Sequence, residues 1–235
     1  MNRTSGKYAI LFAVTATQFA VPFMLASVGV ALPTIGRHFS AGAVSLSLIE
    51  STYIGVTAMF LLPFGRLSDM LGHGPIFRIG QLVFCLATMA LAFAWDIRSF
   101  IAIRCVQGVG GAMMVATGLA LLTDSFPKEE RGRAMGISLT GIYLGISLGP
   151  YLGGVLTTAF GWQSVFLAGV PPLALALVLS WRAVPLRPTR TRGERFDTVG
   201  ALLCMAALGA LVGGSASFAT PAGRGVVAAG VVLLA

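Results

Sequence analysis

Glu50 and Arg104 are ionisable side chains set inside long apolar runs of the chain. The chemistry open to such a pair is proton binding and release under the control of a nearby opposite charge. A carboxylate in hydrocarbon costs on the order of a few kcal/mol if it stays ionised, so it is protonated, paired or beside water. For Glu50 the plain alternative is a protonated, hydrogen-bonded acid near one end of its helix. Arg104 has Gln107 three residues further on, one helical turn along the same face. Its plain alternative is a guanidinium that snorkels to the headgroups. The two runs cross in the same direction and place Glu50 and Arg104 at similar depth. Pairing, or an exchange of partners between them, would lower the penalty on both and tie the protonation of the acid to whatever else approaches the arginine.

No other group of residues offers chemistry of this kind. His38 and His73 fall on opposite sides of the expected bilayer with no carboxylate or thiol set around them, and no glycine-rich loop ends in a phosphate-binding lysine. An enzyme and direct coupling to ATP are therefore disfavoured, and neither cofactor nor metal is expected. Cys85, Cys105 and Cys204 lie in separate runs without paired spacing and read as small apolar filler.

The elements that must position Glu50 and Arg104 are membrane helices. Of the 235 residues 56% are hydrophobic and 10% are charged, against about 25% charged in an ordinary soluble domain. Runs of about 20 residues match the hydrocarbon thickness. They are expected at Tyr8–Leu32, Val44–Phe64, Ile76–Ala94, Ser99–Leu122, Ala134–Leu156, Ser164–Trp181 and Val199–Phe218. An eighth begins near Gly225 and stops inside an apolar stretch at Ala235, which reads as an interrupted second half. The fold class is an all-α integral membrane protein: a six-helix bundle over residues 1–181, a basic cytoplasmic linker over 182–198, and about two further helices over 199–235.

Charge placement gives the orientation. Twelve Lys and Arg fall in the N-terminal tail and alternate loops (Arg3, Lys7, Arg66, Arg78, Lys128, Arg131, Arg133, Arg182, Arg187, Arg190, Arg192, Arg195), and three on the other side (Arg37, Arg98, Arg224). That asymmetry places the N-terminus in the cytoplasm of a cell-membrane protein. It also accounts for the net charge of +8 through topology and anionic headgroups, so no nucleic-acid partner is expected.

Two stretches between these positions carry structural signals. Gly65-Arg-Leu-Ser-Asp-Met-Leu-Gly72-His-Gly-Pro75 reads as a tight turn whose one acid, Asp69, is placed to accept amide hydrogens or face a helix N-terminus. Gly141, Gly145, Gly149 and Gly153, with Gly154, form a ladder at spacing four in an apolar run, a stripe on which another helix lies almost backbone to backbone. Pro150 withdraws the amide that would bond the Ile146 carbonyl, which puts a point of bending inside the stripe.

These residues together resemble the major facilitator superfamily, and within it the fourteen-helix branch of drug:proton antiporters. Gly65-x-Leu67-x-Asp69-x-x-Gly72 is similar to the signature of the cytoplasmic loop between helices two and three. Arg104-x-x-Gln107-Gly108-x-Gly110 is similar to the helix-four signature, whose arginine the family links to proton coupling. Gly141-x-x-x-Gly145-x-x-x-Gly149-Pro150-x-x-Gly153-Gly154 matches the antiporter signature of helix five. Weaker agreement lies in Ala31-Leu32-Pro33, Tyr53, Arg131-Gly132-Arg133-Ala134 and Phe196-Asp197-x-x-Gly200. The likeness covers Ala31 to Gly200. Phe23, Met24 and Leu25 stand where members often carry a helix-one aspartate, which leaves Glu50 as the membrane-embedded acid of the first six spans, and Met70, His73 and Gly74 replace the usual basic residues after Asp69.

The resemblance implies alternating access between two six-helix bundles, with this chain supplying the first. The implied function is proton-coupled efflux of small apolar or cationic compounds. Glu50 and Arg104 would couple protons, Gly65, Asp69 and Gly72 would gate, and the helix-five ladder would touch the opposite bundle. Tyr53, Phe64, Gln107, Met113, Met114 and Tyr143 are candidates for a soft cavity, with ordinary helix packing as their alternative. The expected partners are the lipid bilayer, protons, a small-molecule substrate, and a second helical half or a second copy. An inactive fragment, a half-transporter needing a partner and a non-transporting scaffold stand as alternatives.

Overall fold

A computed structural model describes residues 3–184, 197–215 and 221–234. Its regular structure is helical throughout: α1 (Arg3–Phe39), α2 (Ala43–Leu71), α3 (His73–Leu91), α4 (Ile97–Ser125), α5 (Lys128–Phe160), α6 (Gln163–Ala183), α7 (Thr198–Ser215) and α8 (Pro221–Leu234). The first six are long and apolar enough to cross a membrane, and α7 is a shorter apolar helix. The expected arginine-rich segment with Arg187, Arg190, Arg192 and Arg195, together with Phe196, Phe218 and Ala235, lies outside the described residues.

The helices outrun the expected spans because hydropathy counts only the part that needs hydrocarbon. α1 continues through Pro22 and Pro33. α5 starts at Lys128, so the mixed-charge segment Lys128–Arg133 is helical rather than a loop. Glu129 and Glu130 occupy its first turn, where carboxylates suit the positive end of the helix dipole, and Glu130 accepts from Lys7 Nζ at 2.6 Å. Asp96 caps α4: its carboxylate accepts from the Ser99 amide at 2.7 Å while the Asp96 amide donates to Ser99 Oγ at 3.2 Å.

The stretch expected as a turn around Asp69 is instead the last part of α2, which corrects that reading. Gly65 and Asp69 are helical, and the chain reverses at one residue, Gly72, whose φ of 98° and ψ of 143° suit glycine. The amide of Gly72 closes α2 on the Ser68 carbonyl at 2.8 Å.

The six long helices pack with α1 near the middle, against α5, α6 and α4. A polar pin joins three of them: Gln81 Nε2 donates to Thr17 Oγ1 at 2.9 Å, and Ser180 Oγ donates to Gln81 Oε1. All three side chains are buried. In a bilayer such bonds hold helices together where apolar contact gives little preference over lipid. At the end of the bundle remote from the N-terminus, Phe39, Phe100, Trp162 and Phe166 form an edge-to-face cluster with ring centroids 5.6–6.2 Å apart. His38 joins it, 5.6 Å from the Trp162 ring. α7 and α8 pack on each other, and α7 rests on α2.

The glycine ladder is where α5 meets α1, not where it faces away from the bundle. A Cβ on Gly141 would stand 2.8 Å from the Thr15 carbonyl oxygen, one on Gly149 2.7 Å from Ala26 Cβ, and one on Gly153 2.8 Å from Ser27 Cα; on Gly145 it would collide with the Phe19 carbonyl. Ser27 Oγ donates to the Gly149 carbonyl at 2.9 Å. The ladder reads as a seam in the sequence, and the structure makes that seam internal to the first bundle. Glycine spacing states how close a neighbour comes and says nothing of which neighbour. The opposite face of α5, with Tyr143, Leu144, Pro150 and Tyr151, is exposed.

Candidate functional site

α4 lies between α2 and α3, and its glycines bring it close to both. A Cβ on Gly108 would stand 2.9 Å from the Tyr53 carbonyl of α2, and one on Gly110 2.7 Å from the Phe84 amide of α3. Glycine at these two positions lets Arg104 sink between three helices, and the guanidinium is wholly buried. It does not snorkel.

Arg104 Nη1 donates to Gln107 Oε1 at 2.7 Å, and Nε donates to the Ile49 carbonyl at 3.4 Å. Its Cζ stands 4.6 Å from the centre of the Tyr53 ring, a cation–π contact. Gln107 Nε2 donates to Thr88 Oγ1 at 2.8 Å, and Thr88 in turn donates to the Phe84 carbonyl at 2.7 Å. A buried cation is thus held by one carbonyl, one ring and an amide whose far end is tied to α3. Among the described residues, Arg104 Nη2 and the Tyr53 hydroxyl are buried without a hydrogen-bond partner.

Glu50 and Arg104 share the neighbourhood without touching. Among the described residues no ion pair joins them. Glu50 is half-buried and leans on α1, with Oε1 3.0 Å from where a Cβ of Gly29 would stand.

The cavity candidates do not converge. Tyr53, Gln107 and Met114 belong to the core, and Met113 packs with Met114 against Gly80 of α3, where a Cβ would meet Met113 Cβ at 2.6 Å. Tyr143 is exposed on α5, and Phe64 stacks on Phe60 with ring centroids 5.5 Å apart. An apolar cavity of about 350 Å³ lies elsewhere, between α1, α5 and α6, lined among others by Phe19, Phe23, Met24, Leu156, Gly169 and Pro172.

At the Gly72 reversal Asp69 is exposed on the last turns of α2. The partners read as lacking for His73 are present. His73 Nδ1 is 3.1 Å from Ser68 Oγ, and Nε2 is 3.7 Å from Asp124 Oδ2 at the end of α4.

Three residues of the site escape a reading of the sequence: Thr88, Gly29 and Asp124. A signal for Thr88 exists, because Gln81 and Thr88 are the two polar residues of one α3 face, seven positions and about two turns apart. No comparable signal marks Gly29.

Residues 14–222 match the sequence profile of the Major Facilitator Superfamily. The chain belongs to that superfamily. Among its relatives, the multidrug resistance protein Stp of Mycobacterium tuberculosis is 35% identical over 213 residues, covering 90% of this chain and 39% of the relative. The methylenomycin A resistance protein of Streptomyces coelicolor is 32% identical over 212 residues, covering 88% of this chain and 44% of the relative. The riboflavin transporter RibZ of Clostridioides difficile is 29% identical over 174 residues, covering 74% and 38%. The chain thus spans well under half the length of these relatives. The six long apolar helices fit the multi-pass membrane character of that superfamily.

Proposed function

We infer that this chain is the N-terminal half of a proton-coupled efflux transporter of the fourteen-helix branch. It would export small apolar or cationic compounds by alternating access, with residues 1–181 as the transport bundle, 182–198 as a cytoplasmic linker and 199–235 as further helices. The observation that carries this reading is the Arg104 network. Among the described residues, a guanidinium sealed in the core by Gln107 and Thr88 keeps its Nη2 unpaired while its Nε bonds the carbonyl of Ile49, the residue before a half-buried acid, Glu50. A proton taken by Glu50 from outside would weaken its hold on Arg104, and release of that proton inside would restore it. The names of the two resistance relatives favour outward transport of antibiotics or other small molecules.

The excess of Lys and Arg in the tail and alternate loops supports a cytoplasmic N-terminus and a cytoplasmic Gly72 reversal. There Gly65, Asp69 and Gly72 would act in gating, with the His73–Asp124 contact joining the reversal to α4.

Substrate-driven proton flux in liposomes that hold the chain together with its second half tests the coupling, with riboflavin, methylenomycin A and a lipophilic cation as the panel. Glu50→Gln and Arg104→Ala should each abolish the flux. Unchanged flux in both would sink the reading.

A second helical half completes the transporter. Two observations favour this: the chain covers 38–44% of the relatives named above, and α2 and α5 bury the smallest shares of their apolar windows. The second half would be further sequence, a separate chain or a second copy. Flux from the 235-residue chain at a reconstituted mass of one copy would argue against all three.

A further inference from the structure

We propose that the Glu50 side chain has two seats, one for each protonation state, and that Gly29 and Pro33 of α1 build the protonated one. This rests on the reading of Glu50 and Arg104 as the coupling pair and adds the helix on which the proton is held.

The first seat is the one occupied. Glu50 Oε1 stands 3.0 Å from the position of a Cβ on Gly29, so any larger residue there would press on the carboxyl. Pro33 follows Gly29 by four residues inside the same helix. Having no N–H, it leaves the Gly29 carbonyl without its α-helical partner. A free carbonyl oxygen accepts a hydrogen bond, and only the neutral carboxyl has an O–H to donate. Between Tyr8 and Arg37 α1 has no titratable residue, and Arg37, in its last turn, donates to Thr34 Oγ1 at 3.2 Å. The seat against α1 therefore matches the protonated acid.

The second seat is on α4. Arg104 Nη2 is buried, unpartnered and able only to donate. Its Nε already bonds the carbonyl of Ile49, the residue before Glu50, so the backbone beside the acid is anchored at the guanidinium. A donor with a positive charge matches the ionised carboxylate. In the interior turns of α2 and the helices packed on it the other titratable groups are Tyr53 on α2, Cys85 on α3, Cys105 on α4 and Cys204 on α7, all neutral in their ordinary forms, while charged groups stand towards the helix ends: Arg37 and His38 on α1 and Arg98 on α4 at one end, Arg66, Asp69, His73, Arg78 and Asp124 at the other. Loss of the proton removes the bond to α1 and leaves the carboxylate drawn to α4. Binding a proton would thereby change which helix α2 is fastened to.

Infrared difference spectroscopy on the full chain in liposomes tests this. The carboxyl band that disappears in Glu50→Gln reports neutral Glu50. Pro33→Ala gives the Gly29 carbonyl an N–H partner and adds a good helix former, so the helix is kept. The band at a fixed pH should fall by about half or more in this variant. Gly29→Ala, which fills the seat, should do the same. Pro22→Ala makes the same change elsewhere in α1 and should leave the band as it is. An undiminished band in Pro33→Ala, or an equal fall in Pro22→Ala, overturns the proposal, and Pro33→Ala decides alone should Gly29→Ala not fold. Proton flux that ignores Glu50→Gln while the band responds as expected would remove the coupling function and leave the two seats standing.

Discussion

Gln107 donates its side-chain N–H to the hydroxyl of Thr88 across 2.8 Å, so a residue of α3 takes up the end of the amide that Arg104 cannot use. Without that acceptor the amide still turns its oxygen to the guanidinium, which can only donate, and is left with a buried, unpaired N–H. Thr88→Val should destabilise the protein by about 1–3 kcal/mol, the cost of an unpaired buried polar group. Thr88→Ser should recover most of it. Thermal unfolding of the detergent-solubilised chain measures both, and equal melting of Val and Ser variants would remove Thr88 from the network.

Along the ladder, the test is a contrast between two glycines of one helix. A Cβ on Gly145 would collide with the Phe19 carbonyl, whereas one on Gly136 would meet nothing within 4 Å. Gly145→Ala should cost about 1–3 kcal/mol through overpacking against a backbone that cannot move aside. Gly136→Ala should be neutral or stabilising by up to about 1 kcal/mol through helix propensity. If both melt alike, α1 and α5 are not in backbone contact.

The two glycines of the helix-two signature should also part company. Gly72 holds a φ of 98°, while Gly65 is helical and has open space around its missing side chain. Gly72→Ala should therefore lose about 1–3 kcal/mol to backbone strain. Gly65→Ala should lose nothing, as read by the same melting experiment.

Asp96 supplies a pH dependence whose sign is fixed. Ser99, through its side chain and then its amide, holds the Asp96 carboxyl below its ordinary value of 3.8. A depressed folded value means that the stabilisation is present above the unfolded value and is lost as pH falls through the folded one. The melting difference between the natural chain and Asp96→Asn should be constant at neutral pH and should shift against the natural chain below about pH 4. A difference that stays flat through that acid range would show that the cap carries no charge-dependent stability.

What could be read from the residues beforehand follows a physical line. Arg104 and Gln107 were legible as a unit because three residues along a helix is one turn, and a local spacing needs no tertiary knowledge. The ladder was legible as a contact face for the same reason. Its partner was not, because a stripe of missing side chains fits any helix that comes near, and α1 is distant in sequence. The segment from Gly65 to Gly72 looked like a turn by composition, yet glycine costs a helix only about 1 kcal/mol relative to alanine, less than packing supplies, and α2 ran on to Leu71. Gly29 was invisible for a different reason. Its role is to leave room for a side chain that arrives from another helix, and a glycine in an apolar run announces nothing of the kind.

The close contact of α1 and α5 sets a condition on how the molecule is made. Ser27 and the Gly149 carbonyl it bonds are 122 residues apart in the chain. At the usual pace of synthesis, about 5–20 residues per second, the first helix enters the membrane on the order of ten seconds before its glycine-lined partner exists. Throughout that interval the Ser27 hydroxyl and the uncovered flank of α1 face lipid or the insertion machinery. The first helix is a lodger until the fifth arrives, and changes that slow the middle of the message would extend its wait.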